Sequence, residues 1–126
     1  MRTQGLPQSE RLQSGEVKKV FDRGIRIRGR FVNLLFLATP EKPGTRKIAV
    51  VVGRRVSRKA PVRNRFKRYL RESFRRNKSL FPEEGALVFA AQQLPESLSL
   101  TIIEKELAEL GAKIKASRPA KPRTSA

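Results

Sequence analysis

Between residues 63 and 71 the chain reads Arg63-Asn64-Arg65-Phe66-Lys67-Arg68-Tyr69-Leu70-Arg71, and a second basic group, Arg54, Arg55, Arg58 and Lys59, comes just before it. A guanidinium offers a planar fork of donors that matches phosphate oxygens, and an ammonium adds a point charge. Asn64 both donates and accepts, which suits a 2′-hydroxyl or a base edge. On a helix, Arg63, Lys67 and Arg71 fall at i, i+4, i+8 in one row, Asn64, Arg68 and Arg75 occupy the adjacent row, and Arg65 lies further round the cylinder. Like charges at that spacing repel by a few tenths of a kcal/mol per pair, so folding alone does not favour the pattern. Phosphates turn the repulsion into attraction and release counterions. An ordinary solvated helix face mixes both signs. From Arg46 to Arg76, however, thirteen basic residues accompany one acid, Glu72, and carry twelve of the chain's eighteen net positive charges.

The residue inventory also excludes chemistry. There is no Cys and no His, so a disulfide framework, a zinc ribbon, a thiol nucleophile and an imidazole acid–base pair are all absent. The single Asp is Asp22, and Glu83, Glu84, Glu104, Glu106 and Glu109 lie outside the basic segment, so a two-metal carboxylate cage is not expected. With 126 residues, 38% of them hydrophobic, and a net charge of +18, the chain fits one domain with a modest core and a polyanionic partner. The longest strongly apolar run, Val32–Ala38, is broken by Asn33 and is too short to span a membrane. The N-terminus lacks the apolar centre of a signal peptide, and a cytoplasmic protein without a membrane partner is expected.

The elements that must hold the basic segment follow from periodicity. Arg11 to Gly24 predicts a helix with Ser14 as N-cap, Val17, Val20 and Phe21 inward, and Gly24 just past its end. Ile25 to Arg30 alternates as a strand with an arginine ladder on one face, and Phe31 to Ala38 is a denser strand. Glu41-Lys42-Pro43-Gly44 predicts a hairpin-like link to a third strand, Lys47–Gly53, placed centrally because it is rich in Val and Ile. Pro61 suits a first helical turn, after which Val62, Phe66, Leu70 and Phe74 form an apolar stripe as far as Arg76. Ala86–Ala91 predicts a fourth strand. A last helix opens at Thr101 with a capping box to Glu104, or earlier at Ser97 or Ser99, and buries Leu100, Ile103, Leu107, Leu110 and Ile114. The expected fold class is α+β, an α/β sandwich in the order α-β-β-β-α-β-α around one four-stranded sheet. Residues 1–9 and 116–126 are expected to be flexible, the latter as a basic tail, with a single RNA-binding domain at 10–115.

Phe66, Leu70 and Phe74 read as core, and Phe21 and Phe31 as core by default. A strand precedes the basic helix, so the paired helices of a helix-turn-helix are missing, and a folded RNA gripped by its backbone is favoured over a DNA groove. A structural RNA-binding protein of ribosomal or assembly type remains an alternative on these grounds.

The stretch from Arg54 to Glu72 resembles the signature of the bacterial ribonuclease P protein family. The motif is Ala60-x-x-Arg63-Asn64-Arg65-Phe66-Lys67-Arg68-x-Leu70-Arg71 after a Val-rich strand, and Arg11-Leu12 and Val20-Phe21-x-x-Gly24 support it upstream. The resemblance implies an accessory subunit of a ribonucleoprotein endonuclease in which the RNA, with Mg²⁺ held mainly by that RNA, cuts precursor tRNA at its 5′ end. It implies a left-handed β-α-β crossover, against the general right-handed default, and one protein per RNA. Carried onto this chain, Arg54, Arg55, Arg58, Lys59, Arg63, Asn64, Arg65, Lys67, Arg68 and Arg71 contact RNA. A cleft between the first helix and the sheet, at Val17, Phe21, Phe31 and Leu34, takes the single-stranded 5′ leader. No catalytic or metal-ligating protein residue is implied. Val17 and Leu34 stand where aromatic residues occur in the family, Gln92 and Gln93 where Arg or Lys is frequent, and Phe66 where an aliphatic residue is usual.

Overall fold

Val32 to Leu37 is apolar on both faces except at Asn33, and a strand of that kind needs cover on each side. The computed structural model, which describes residues 11–40 and 42–117, supplies that cover. The elements are α1 (Ser14–Arg23), β1 (Ile25–Ile27), β2 (Val32–Leu37), β3 (Arg46–Val51), α2 (Ala60–Arg76), a short 3₁₀ turn (Lys78–Leu80), β4 (Gly85–Ala91) and α3 (Leu100–Ser117). They form one mixed sheet in the order β1-β2-β4-β3. β2 runs antiparallel to β1 and to β4, from Val32 opposite Ala91 to Leu37 opposite Ala86. β3 runs parallel to β4, from Arg46 opposite Gly85 to Val51 opposite Ala90, which makes α2 the crossover between them.

One sheet face carries the larger core. Val32, Leu34 and Phe36 of β2, Ile48 of β3 and Leu87 and Phe89 of β4 meet Phe66, Leu70 and Phe74 of α2 and Ile103, Leu107, Leu110 and Ile114 of α3. Phe74, Phe81 and Phe89 form a tilted and edge-on cluster with ring centroids 5.3–5.8 Å apart. The other face is lighter: Leu35, Ala86 and Val88 pack on Val20, flanked by Leu12, Val17, Leu37, Ala49, Val51 and Ala90. Only α1 covers it.

Several local expectations change. The segment after β2 makes no hairpin, because β4 inserts between β2 and β3; Glu41 itself lies outside the described residues. β3 is therefore an edge strand and β4 takes the central place. β4 is apolar toward both layers from Ala86 to Phe89, whereas β3 opens on Arg46 and Lys47, charges that an edge tolerates. At the outer edge of β3, Leu12 donates its N–H to the Ile48 carbonyl at 3.0 Å. β1 is only three residues long and leaves Ile25 45% exposed.

The caps shift as well. Gln13 rather than Ser14 caps α1, in a reciprocal box with Glu16. Gly24 is extended, with φ −75°, so its need for glycine is not a left-handed turn. A Cβ there would lie 2.6 Å from the Val20 carbonyl oxygen and 2.7 Å from that of Phe36. α3 begins at Leu100, with the Ser99 Oγ accepting the Ile102 N–H, and runs to Ser117, into the stretch expected to be tail. Of the segments expected to be flexible, 1–9 and 116–126, residues 1–9 and 118–126 lie outside the described residues.

Glu106 fastens the layers together. Its carboxylate, 6% exposed, accepts the N–H groups of Phe31 at 2.6 Å and Val32 at 2.9 Å, tying α3 to the start of β2. Gln92 adds a second tie: its amide donates to the carbonyls of Gly29 and Arg30 and accepts from Asn33.

Candidate nucleic-acid interface

The sequence of α2 sorts its own residues. Phe66, Leu70, Ser73 and Phe74 are buried, which turns Asn64, Arg65 and Arg68 to solvent and leaves Arg63, Lys67 and Arg71 half-buried along the flank. Pro61 lies in the first turn, where a missing N–H costs nothing, and no acid occupies that turn. The helix N-terminus thus adds its partial positive charge to Arg58, Lys59 and Arg63. Ahead of it, Arg54, Arg55, Arg58 and Lys59 are exposed on the turn that leaves β3. Arg63 binds that turn to the helix by donating to the Ser57 carbonyl at 3.0 Å, and the Ser57 Oγ accepts the Lys59 N–H.

Ion pairing divides the thirteen basic residues. Arg75 and Arg76 both bind Glu72, and Arg76 also reaches Glu104 at 3.3 Å. The Arg75 hydrogen bond is the main cause that holds the Glu72 carboxyl below the usual carboxylate range. Lys47 pairs with Glu16. Arg46 serves the fold: it donates to the carbonyls of Lys78 and Pro82, both at 3.1 Å, and its guanidinium lies 5.2 Å from the Phe74 ring centre. The other nine, Arg54, Arg55, Arg58, Lys59, Arg63, Arg65, Lys67, Arg68 and Arg71, form no ion pair among the described residues. Arg68 stacks over Tyr69 at 5.7 Å. The Arg71 guanidinium has its pKa lowered, first by burial and then by the charge of Arg11 across the edge of β3. A continuous turn-and-helix surface of uncompensated cations, with Asn64 among them, can grip successive phosphates of a folded polyanion.

The four residues expected in a cleft beside α1 separate. Val17 packs partly on the lighter sheet face, and Phe21 is 38% exposed, so the default core reading of Phe21 does not hold. Leu34 is fully buried on the opposite face, in the core beneath α2 and α3, and Phe31 packs against that same core. Neither lines a cleft at α1. The strand pleat puts Leu35, not Leu34, on the α1 face, with Val51 and Ala90 completing a floor that the sequence reading did not name. β2 is apolar on both faces, so the sequence held no local signal for that choice. Gln93 is exposed, and Gln92 is engaged with backbone carbonyls. Among the described residues no three acidic side chains come together in a group that could hold a metal ion, and no helix is long and apolar enough to cross a membrane.

Residues 6–115 match the family model described as Ribonuclease P. The ribonuclease P protein component of Microcystis aeruginosa is 36% identical over 85 residues, covering 65% of this chain and 68% of that one. The corresponding protein of Pseudanabaena sp. is 44% identical over 71 residues, covering 56% and 60%, so that match spans less than two thirds of that relative. The Petrotoga mobilis component is 37% identical over 92 residues, covering 71% and 74%. Two solved structures share the fold: the RNase P protein of Thermotoga maritima, at TM-score 0.70 and 25% identity over 82% of this chain and 96% of that one, and that of Staphylococcus aureus, at 0.73 and 19% over 86% and 96%.

Proposed function

The chain belongs to the ribonuclease P protein family, and on that premise we propose that it is the RNA-binding subunit of a ribonucleoprotein that matures the 5′ end of precursor tRNA. The observation that carries this reading is the segregation of charge. Among the described residues, nine basic side chains from Arg54 to Arg71 are left without acidic partners, while their neighbours Arg46, Arg75 and Arg76 are tied into the fold.

In this reading the Arg54–Lys59 turn and the exposed rows of α2 bind the phosphate backbone of the catalytic RNA, one protein to one RNA. Asn64 meets a 2′-hydroxyl or base edge. The single-stranded 5′ leader lies along the other flank of the domain. There Phe21 offers a ring for a base to stack on, and Val17, Leu35, Val51 and Ala90 form an apolar floor. Mg²⁺, held by the RNA, supplies the activation of water for cleavage. The protein's own residues bring phosphates together, offset their repulsion and hold the leader in place. The unit that does this is residues 10–115, in the cytoplasm.

Reconstitution tests the reading. Added to its cognate RNA at low Mg²⁺, the protein should restore 5′ cleavage of precursor tRNA and favour substrates with a leader over mature tRNA. A protein that changes neither cleavage nor leader affinity at any Mg²⁺ concentration is not this subunit. A structural RNA-binding protein would bind without sensing leader length.

A further inference from the structure

α1 has two flanks. Val17 and Phe21 look one way. Glu16, Lys19 and Arg23, spaced i, i+3, i+7, look the other, with Val20 between them on the sheet. On that second flank lies a half-open concavity of about 460 Å³, within the range of small-ligand pockets. Its floor is apolar: Leu12, Val20, Leu37 and Ala86. Its rim is cationic. Lys19 and Arg23 are exposed and form no ion pair among the described residues, while Lys42 and Lys47 stand 3.5 and 3.7 Å from the Glu16 carboxylate. Thr39 and Thr45 add hydroxyl groups. No residue of the Arg54–Arg71 segment lines it.

We propose that this concavity is a second ligand site that takes a nucleoside phosphate, with the base against Leu12, Val20, Leu37 and Ala86 and the phosphate held by Lys19 and Arg23. Among the described residues, four cations against one carboxylate select an anion. An apolar floor beside them selects an anion with a flat, poorly hydrated body over a bare phosphate. Glu16 governs the site. Its carboxyl is held below the usual range, first by the Gln13 N–H, so at neutral pH it is charged and engages Lys42 and Lys47. A bound phosphate competes with it for those two ammonium groups. The site is independent of the ribonucleoprotein reading, since it shares no side chain with the α2 surface.

The test is a titration of the ¹⁵N-labelled full chain with ADP, followed by amide shifts. Saturable shifts centred on Lys19, Arg23, Thr39, Thr45 and Ala86 are expected. Lys19→Ala/Arg23→Ala, both at exposed positions, should weaken binding about tenfold or more. Glu16→Gln keeps an oxygen for the Gln13 N–H but releases both lysines, and should tighten binding about threefold or more. Adenosine and pyrophosphate should each bind more weakly than ADP. A 5′-phosphorylated tetranucleotide that displaces ADP assigns the natural ligand to an RNA strand; failure to displace it assigns a free nucleotide. The proposal is overturned by shifts centred on residues 54–71, by no saturation below about 10 mM, by pyrophosphate or adenosine binding as tightly as ADP, or by unchanged or weaker binding in a folded Glu16→Gln.

Discussion

Removing one uncompensated cation and one compensated cation from the same helix should have different consequences. Arg65 is exposed on α2 with no ion pair among the described residues, and Arg75 lies ten positions on, exposed but bound to Glu72, which raises the pKa of its guanidinium. If each of the nine free cations meets a phosphate, log K for the RNA should fall against log salt with a slope of about −6 to −8, at roughly 0.7–0.9 per contact. Arg65→Ala should flatten that slope by about 0.7–0.9 and weaken binding about five- to eightfold at 0.1 M salt. Arg75→Ala should leave the slope unchanged, because Arg75 brings no unbalanced charge to the surface. The assay is filter binding or anisotropy with the cognate RNA across a salt series, with melting curves to confirm that both variants fold. Equal flattening by the two variants would refute the reasoning, since ion pairing would then not determine which arginines meet the RNA. An unchanged slope for Arg65→Ala would remove that residue from the interface.

Glu106→Ala should cost about 2–4 kcal/mol in urea unfolding, because it strands the N–H groups of Phe31 and Val32 beneath α3; Glu106→Gln, which keeps an acceptor, should cost clearly less. Leu34→Ala should cost about 2–5 kcal/mol and act on leader affinity only through that loss. Phe21→Ala should do the reverse, lowering leader affinity about fivefold or more with little change in melting temperature. Glu16 and Glu72 both have folded pKa values below the ordinary carboxylate value of 4.5, so the unfolded chain takes up protons first as the pH drops. Their stabilisation is complete above about that pH and is lost as pH falls through the folded values, modestly because both groups are partly solvated. An acid melting series should show the decline below pH 4.5, and Glu16→Gln/Glu72→Gln should flatten it.

The cost of keeping nine like charges on one surface falls on folding, and the layout of the core shows how it is met. Phe66, Leu70 and Phe74 are each within 1% of complete burial, and burial of such side chains contributes about 1.5–3 kcal/mol apiece. A few tenths per repelling pair is small beside that. The helix can therefore carry an unsatisfied electrostatic face as long as its opposite stripe is fully packed.

The elements themselves were legible in the sequence because the forces that make them are local. The i, i+4 stripe of α2, Pro61 at its start and the alternation of the strands act within a turn or a pleat, and each predicted element is present within a few residues. The density of charge was legible for the same reason, and so was the placement of Arg63, Asn64, Arg65, Lys67, Arg68 and Arg71 away from the buried stripe of α2. β2 was a different case. Being apolar on both sides, it carries no local mark of which face meets α1, and so Leu34 was assigned to the cleft when it is Leu35 that faces it.

By itself the sequence determined that the chain carries a large excess of positive charge, that two thirds of the excess lies between Arg46 and Arg76, and that it holds no imidazole or thiol. Tertiary structure decided the rest. It placed β4 between β2 and β3, made β3 an edge, withdrew Arg46, Arg75 and Arg76 from the basic surface, and opened a second concavity behind α1. Those outcomes rest on partners far apart in the chain: Arg76 with Glu104, 28 residues on, and Phe31 with Glu106, 75 residues on. Periodicity reports which way a side chain points relative to its own backbone; only packing decides what stands opposite it.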